Sequence, residues 1–99
     1  MTSHQEVEMA QITYKAPERV DRLASNKVQE ELDKLVDEGA TELIVDMSEL
    51  QYISSAGLRV LLTVQQRLGE GGSLILTNVP KSVKDVLDVT GFSGFMNIR

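Results

Sequence analysis

Ninety-nine residues hold one domain, and a second independent core is excluded at this length. Fifteen acidic against ten basic residues leave a formal net charge of −5, which repels phosphate backbones and argues against nucleic acid as a partner. The chain has no cysteine, which excludes a disulfide framework, thiol catalysis and Cys-ligated metal; with no leader-like start and no apolar run near the ~20 residues that span a bilayer, a cytoplasmic protein without membrane contact is expected.

Taken in chain order, residues 1–5 form a polar stretch expected to be a flexible tail. Residues 6–14 alternate, with Ala10, Ile12 and Tyr14 on one side, and predict an outer strand. Ala24, Val28, Leu32, Leu35 and Val36 then repeat at helical spacing, while Lys27, Glu30, Glu31, Lys34 and Asp37 face water. Asp21 or Ser25 is placed to cap this helix, and Gly39 to end it. Leu43 to Val45 and Leu74 to Leu76 are continuous apolar runs, the pattern of interior parallel strands. Between them residues 54–69 predict a helix with Leu58, Leu61, Leu62 and Leu68 on one face and Arg59, Thr63, Gln66, Arg67 and Glu70 on the other. Strand, helix and strand make a right-handed crossover. Pro80, with Ser82 and Asp85 spaced as a capping pair, opens a third helix whose stripe is Val83, Val86 and Leu87 and whose stop is Gly91. Phe95 to Ile98 reads as a last strand. The class is α/β, in the order β-α-β-α-β-α-β.

Most site chemistries fail on inspection. Serine catalysis needs a base, and the single histidine, His4, lies in the polar tail; Ile53 also stands where a nucleophile elbow centred on Ser55 requires glycine. Gly69, Gly71 and Gly72 follow a helix and precede a strand, the reverse of a phosphate loop. Asp46, Ser48 and Glu49 are spaced like the opening of a calcium loop that lacks its glycine and its distant glutamate. No catalytic residue, no metal site and no cofactor is expected.

Residues 46–62 are more informative. They run from a buried strand through a short loop into an amphipathic helix whose first turn is Ser54, Ser55, Ala56 and Gly57. Small side chains there leave the unpaired amides of a helix start accessible, and Ile53 ahead of a Ser54 cap would pack on Leu58 as a hydrophobic staple. Two serines and a glycine forming an ordinary cap would give the same pattern.

The stretch resembles the STAS domain of anti-sigma factor antagonists, small bacterial switch proteins of sporulation and general stress. The residues carrying the likeness are Asp46-Met47-Ser48, Tyr52-Ile53 and Ser55-Ala56-Gly57-Leu58, supported by Arg19-Val20-Asp21, by Gly71-Gly72 and by Val83 through Phe92. The resemblance implies one STAS-type domain over residues 1–99, with a mixed four- to five-stranded sheet and packed helices. It also implies phosphorylation of Ser55, Ser54 being the fallback, by an anti-sigma factor with a histidine-kinase-type ATP fold. Such an antagonist holds that factor when unphosphorylated and is released when phosphorylated; a PP2C-type phosphatase restores it. Partner contact is then expected around Asp21, Ser54, Ser55, Ala56, Gly57 and Arg59, with Asp46 and Ser48 structural, the Asp46 carboxylate accepting loop amides.

The sequence departs from the family pattern at Ser54, where many members have Asp, and at Glu18, where many have Gly; Pro17 breaks strand pairing nearby. Ending at Arg99 without a further helix leaves a sheet edge open to another copy, so the expected state is a monomer or a weak homodimer. The second role compatible with the resemblance is a scaffold or adaptor module in a stress-sensing or lipid-transport assembly, in which Ser55 only caps its helix.

Overall fold

The computed structural model describes residues 10–99. In chain order the elements are β1 (Gln11–Lys15), β2 (Arg19–Val20), α1 (Arg22–Asp37), β3 (Glu42–Asp46), β4 (Tyr52–Ile53), α2 (Ser55–Leu68), β5 (Ser73–Thr77), α3 (Lys81–Thr90), a 3-10 turn (Phe92–Gly94) and β6 (Asn97–Ile98). The expected α/β order is present, with two short strands, β2 and β4, added to it.

Four strands form one sheet in the order β1-β3-β5-β6, and each adjacent pair is parallel. Among the described residues every adjacent pair in this sheet is parallel, and its four strands fall within the expected four to five. Each crossover moves the chain one strand further in the same direction, and right-handed connections of that kind place their helices on one face. The packing agrees. The rows Ile12–Leu43–Leu74 and Tyr14–Val45–Leu76–Ile98 share a single apolar cluster with Val28 and Leu32 of α1, Leu58, Leu61 and Val64 of α2, and Val83 and Leu87 of α3. Ile75 is buried on the opposite row and Ile44 is half-buried there, which is why both runs read as apolar without alternation.

Several boundaries differ from those expected. The first strand starts at Gln11; the part of the predicted segment over residues 6–9, and the tail of residues 1–5, lie outside the described residues. Only Asn97 and Ile98 of the last apolar segment pair, because Phe92 to Gly94 turn as a 3-10 helix and bring the Phe92 and Phe95 rings together, tilted by 42° with 5.2 Å between ring centres. Ser82 does not cap α3: Pro80 occupies that position without a side-chain bond, and Asp85 pairs with Lys81 at 3.2 Å instead. On α2 the fully buried residues include Val60 and Val64, whereas Leu62 is half-buried. A second packing partner causes this shift, since α2 lies against α1 as well as the sheet.

At α1 the capping role falls to Asp21, whose carboxylate accepts the Ala24 amide at 2.9 Å, while Ser25 is buried and donates to the Arg22 carbonyl at 2.7 Å. An Asp21→Ala variant should lose about 1 kcal/mol of stability, a drop in melting temperature of roughly 4–8 °C for a domain of this size, and Asp21→Asn should lose little; thermal melts followed by circular dichroism check this.

Candidate functional site

The site lies where α2 begins, and small-sheet pairing places it there. β2 and β4 form a two-residue parallel ladder, Arg19 opposite Tyr52 and Val20 opposite Ile53. The Glu18 carbonyl accepts the amides of Gln51 and Tyr52, and the Val20 carbonyl accepts the Ser54 amide at 2.9 Å. Above this ladder the Arg19 guanidinium stacks 4.7 Å from the centre of the Tyr52 ring. Below it, Met47 and Leu50 are sealed in the core and hold the intervening loop down.

The two serines are thereby given different tasks. The Ser54 hydroxyl accepts the Gly57 amide at 3.2 Å as the helix cap and donates to the Val20 carbonyl at 3.1 Å. It is half-buried, with its donor and its acceptor both engaged. Ser55 is exposed, and its hydroxyl makes no hydrogen bond among the described residues. Ile53 and Leu58 are both buried in the core cluster, as the expected staple requires. Gly57 is buried beneath them. A Cβ added there would lie 2.7 Å from Ile53 Cγ1, 2.9 Å from Val20 Cγ1 and 3.0 Å from the Val20 carbonyl oxygen, so the close seating of α2 on β2 and β4 depends on a missing side chain.

Beside Ser55 runs a groove of about 330 Å³ between α1 and α2, lined by Ser25, Asn26, Gln29, Ser55, Ala56, Arg59, Val60 and Thr63. The structure thus brings Ser55, Ala56 and Arg59 together on one wall. Asn26 and Gln29, on the facing wall, are residues that sequence reasoning did not single out; their only signal was position on the polar side of a helix. Val20 belongs to the Arg19-Val20-Asp21 likeness, but its role carries no side-chain signal, because its contribution is a backbone carbonyl. Asp21 follows Val20 directly and so lies beside the site by connectivity, with its carboxylate committed to the cap.

Asp46 and Ser48 do not line the groove. The Asp46 carboxylate accepts the Ser48 amide at 3.0 Å and the Asn78 side-chain amide at 3.1 Å, tying the loop after β3 to the loop after β5, where Asn78 adopts a left-handed φ of 53°. The Ser48 amide, then the Asn78 amide, holds the carboxyl below its ordinary range. The sign follows from proton linkage: a carboxylate with a lowered folded pKa contributes above its unfolded value, near 4, and that contribution vanishes as the pH falls through the lower folded value. Asp46→Asn keeps an acceptor but removes the titration, so its acid unfolding limb below pH 4 should be shallower than that of the unmodified chain in melts taken at successive pH values.

Among the described residues no group of acidic and histidine side chains is arranged to hold a metal ion, and no helix is long and apolar enough to cross a membrane.

Comparison with known proteins matches this architecture. The family model described as the STAS domain matches residues 2–99. BtrV of Bordetella bronchiseptica, a candidate anti-sigma factor antagonist, is 36% identical over 74 residues, a stretch that covers 74% of this chain and 64% of that protein. The chain thus spans less than two thirds of that relative's length. Three solved structures share the fold. Unphosphorylated SpoIIAA, an anti-sigma factor antagonist, superposes with a TM-score of 0.78 at 19% identity, covering 94% of this chain and 83% of its own. A candidate antagonist from Thermotoga maritima gives 0.80 at 17% identity, covering 92% and 81%. The phosphorylated Bacillus SpoIIAA gives 0.69 at 19% identity, covering 94% and 86%.

Proposed function

The chain belongs to the STAS domain family, and on that premise we propose that it is an anti-sigma factor antagonist whose docking surface is switched by phosphorylation of Ser55. The observation that carries this reading is the division of labour between adjacent hydroxyls. Ser54 does the capping, so Ser55, exposed beside an open groove, has no structural duty among the described residues. This disfavours the adaptor reading in which Ser55 serves as the cap. It also disfavours Ser54 as the modified residue, since esterifying that oxygen would remove the proton donated to Val20 and crowd the Gly57 amide.

In this reading the partner is an anti-sigma factor with a kinase-type ATP fold. The Ser55 Oγ bonds to the γ-phosphorus of ATP, the bond from that phosphorus to the β–γ bridging oxygen breaks, ADP departs, and the hydroxyl proton passes to a base on the kinase. A PP2C-type phosphatase reverses the state by hydrolysis. The protein contributes no catalytic group of its own; it supplies an accessible acceptor hydroxyl on a rigid helix start. At that position the helix dipole tolerates the added charge of about −1.5 to −2, so modification acts on docking while the fold persists.

Incubation with ATP and the cognate anti-sigma factor should add one phosphate by intact mass, and Ser55→Ala should abolish it with an unchanged melting temperature. Transfer to any other residue, Ser54 included, overturns the assignment.

A further inference from the structure

We infer that the groove between α1 and α2 is the seat of the phosphate on Ser55, with Arg59 as its counter-charge. The inference rests on the functional reading above and assigns a residue and a cavity to the modified state. Although the chain carries a net charge of −5, no carboxylate lines this groove, and Arg59 is its one charged residue. Asn26 and Thr63 add uncharged donors, and Asn26 makes no side-chain hydrogen bond among the described residues.

The charges nearby are arranged to leave Arg59 available. Arg67, two turns further along α2, pairs with Asp33 at 3.1 Å and with Asp37 at 2.7 Å, and Asp33 also accepts the Gln29 side-chain amide at 3.1 Å. Those carboxylates of α1 are thereby held toward the far end of the helix pair. Asp21 faces the Ala24 amide, Glu31 accepts the Tyr14 hydroxyl, and Arg22 and Glu30 are exposed outside the lining residues. Arg59 itself is exposed and forms no ion pair among the described residues.

Position then selects the pair. Residues four apart on a helix have Cβ atoms about 5–6 Å from each other, and an anion placed N-terminal to its cation is the favoured order. A guanidinium also meets phosphate oxygens through two parallel hydrogen bonds, which an ammonium does not reproduce. At about 330 Å³, against about 30 Å³ for a water molecule, the groove admits the phosphate with its residual hydration. Modification therefore occupies the Ser55 end of the groove and takes Arg59 out of use by a partner, in addition to placing charge at the surface.

The test uses the full chain with phosphoserine encoded at position 55 during translation, so no kinase is involved. Phosphorus NMR should show a second phosphate pKa about half to one unit below the ordinary value near 6. Arg59→Gln should raise it most of the way to that ordinary value, leaving only the smaller share due to the helix dipole, and Arg59→Lys should keep part of the displacement that Arg59 causes. Equal values for the unsubstituted chain and Arg59→Gln overturn the proposal. The unphosphorylated Arg59→Gln chain should melt as the parent does, which separates loss of pairing from loss of fold. Failure of the unphosphorylated chain to bind an anti-sigma factor would refute the switch reading while leaving this titration as it stands, so the two claims fail separately.

Discussion

Placing a negative charge at position 55 is expected to lower affinity for the anti-sigma factor far more than it changes stability: about a hundredfold for phosphoserine, and at least tenfold for Ser55→Asp. The unequal outcome has a physical origin. On the free chain, an anion in the first turn of α2 meets a partial positive charge and water, so the fold is unchanged or gains about 0.3–1 kcal/mol. Under a docked partner the same charge is stripped of water and faces groups chosen to meet a hydroxyl. An uncompensated charge there costs several kcal/mol, and about 2.8 kcal/mol already amounts to a hundredfold. Titration calorimetry with the cognate anti-sigma factor, run beside thermal melts of the same samples, reads both quantities. Equal affinity for Ser55 and phosphoserine-55 chains would exclude the switch and favour an adaptor role. A large fall in melting temperature would instead mean that Ser55 supports the fold, contrary to its exposure and free hydroxyl.

Gly57→Ala is expected to damage the site from below, destabilising the domain by about 1–3 kcal/mol. In an exposed helix this substitution would stabilise by about 0.8–1.0 kcal/mol, because glycine is the poorer helix former. Here the new methyl would sit 2.7 Å from Ile53 Cγ1 and 2.9 Å from Val20 Cγ1. Both neighbours are β-branched and buried, with little rotameric freedom to yield, so overpacking outweighs propensity. Relief requires α2 to lift from β2, which stretches the Ser54 contacts to the Val20 carbonyl and moves the Ser55 hydroxyl. Binding should therefore fall together with stability, unlike the Ser55 series. Gly71→Ala is the control, since a Cβ there meets nothing within 4 Å; it should leave both unchanged. Denaturant titrations of the two variants decide the matter, and a neutral Gly57→Ala would show that the seating of α2 does not depend on the missing side chain.

How much was legible beforehand varies with the kind of interaction. Asp21 was recognisable as a cap candidate because a helix start announces itself through one short polar side chain ahead of an apolar stripe, and the structure selects it over Ser25. Asp46 was expected to accept loop amides, and it accepts that of Ser48 together with the Asn78 side chain. By contrast β2 and β4 escaped notice, since a two-residue strand is too short to show periodicity. The Ser82 and Asp85 spacing misled, because a lysine four residues before Asp85 offers that carboxylate a better partner.

Local pattern, then, was enough to establish the α/β order, the positions of the three helices and the location of the Ser-Ser-Ala-Gly turn at the start of the middle one, because periodicity and end-signals act over a few residues. Which of two neighbouring hydroxyls is spent and which is spare was settled by contacts reaching across the fold. The Val20 carbonyl that engages Ser54 comes from 34 residues away, and the α1 wall facing Ser55 from a similar separation. No local signal carries such information: a backbone acceptor has no side-chain identity, and the groove exists only after two helices have packed.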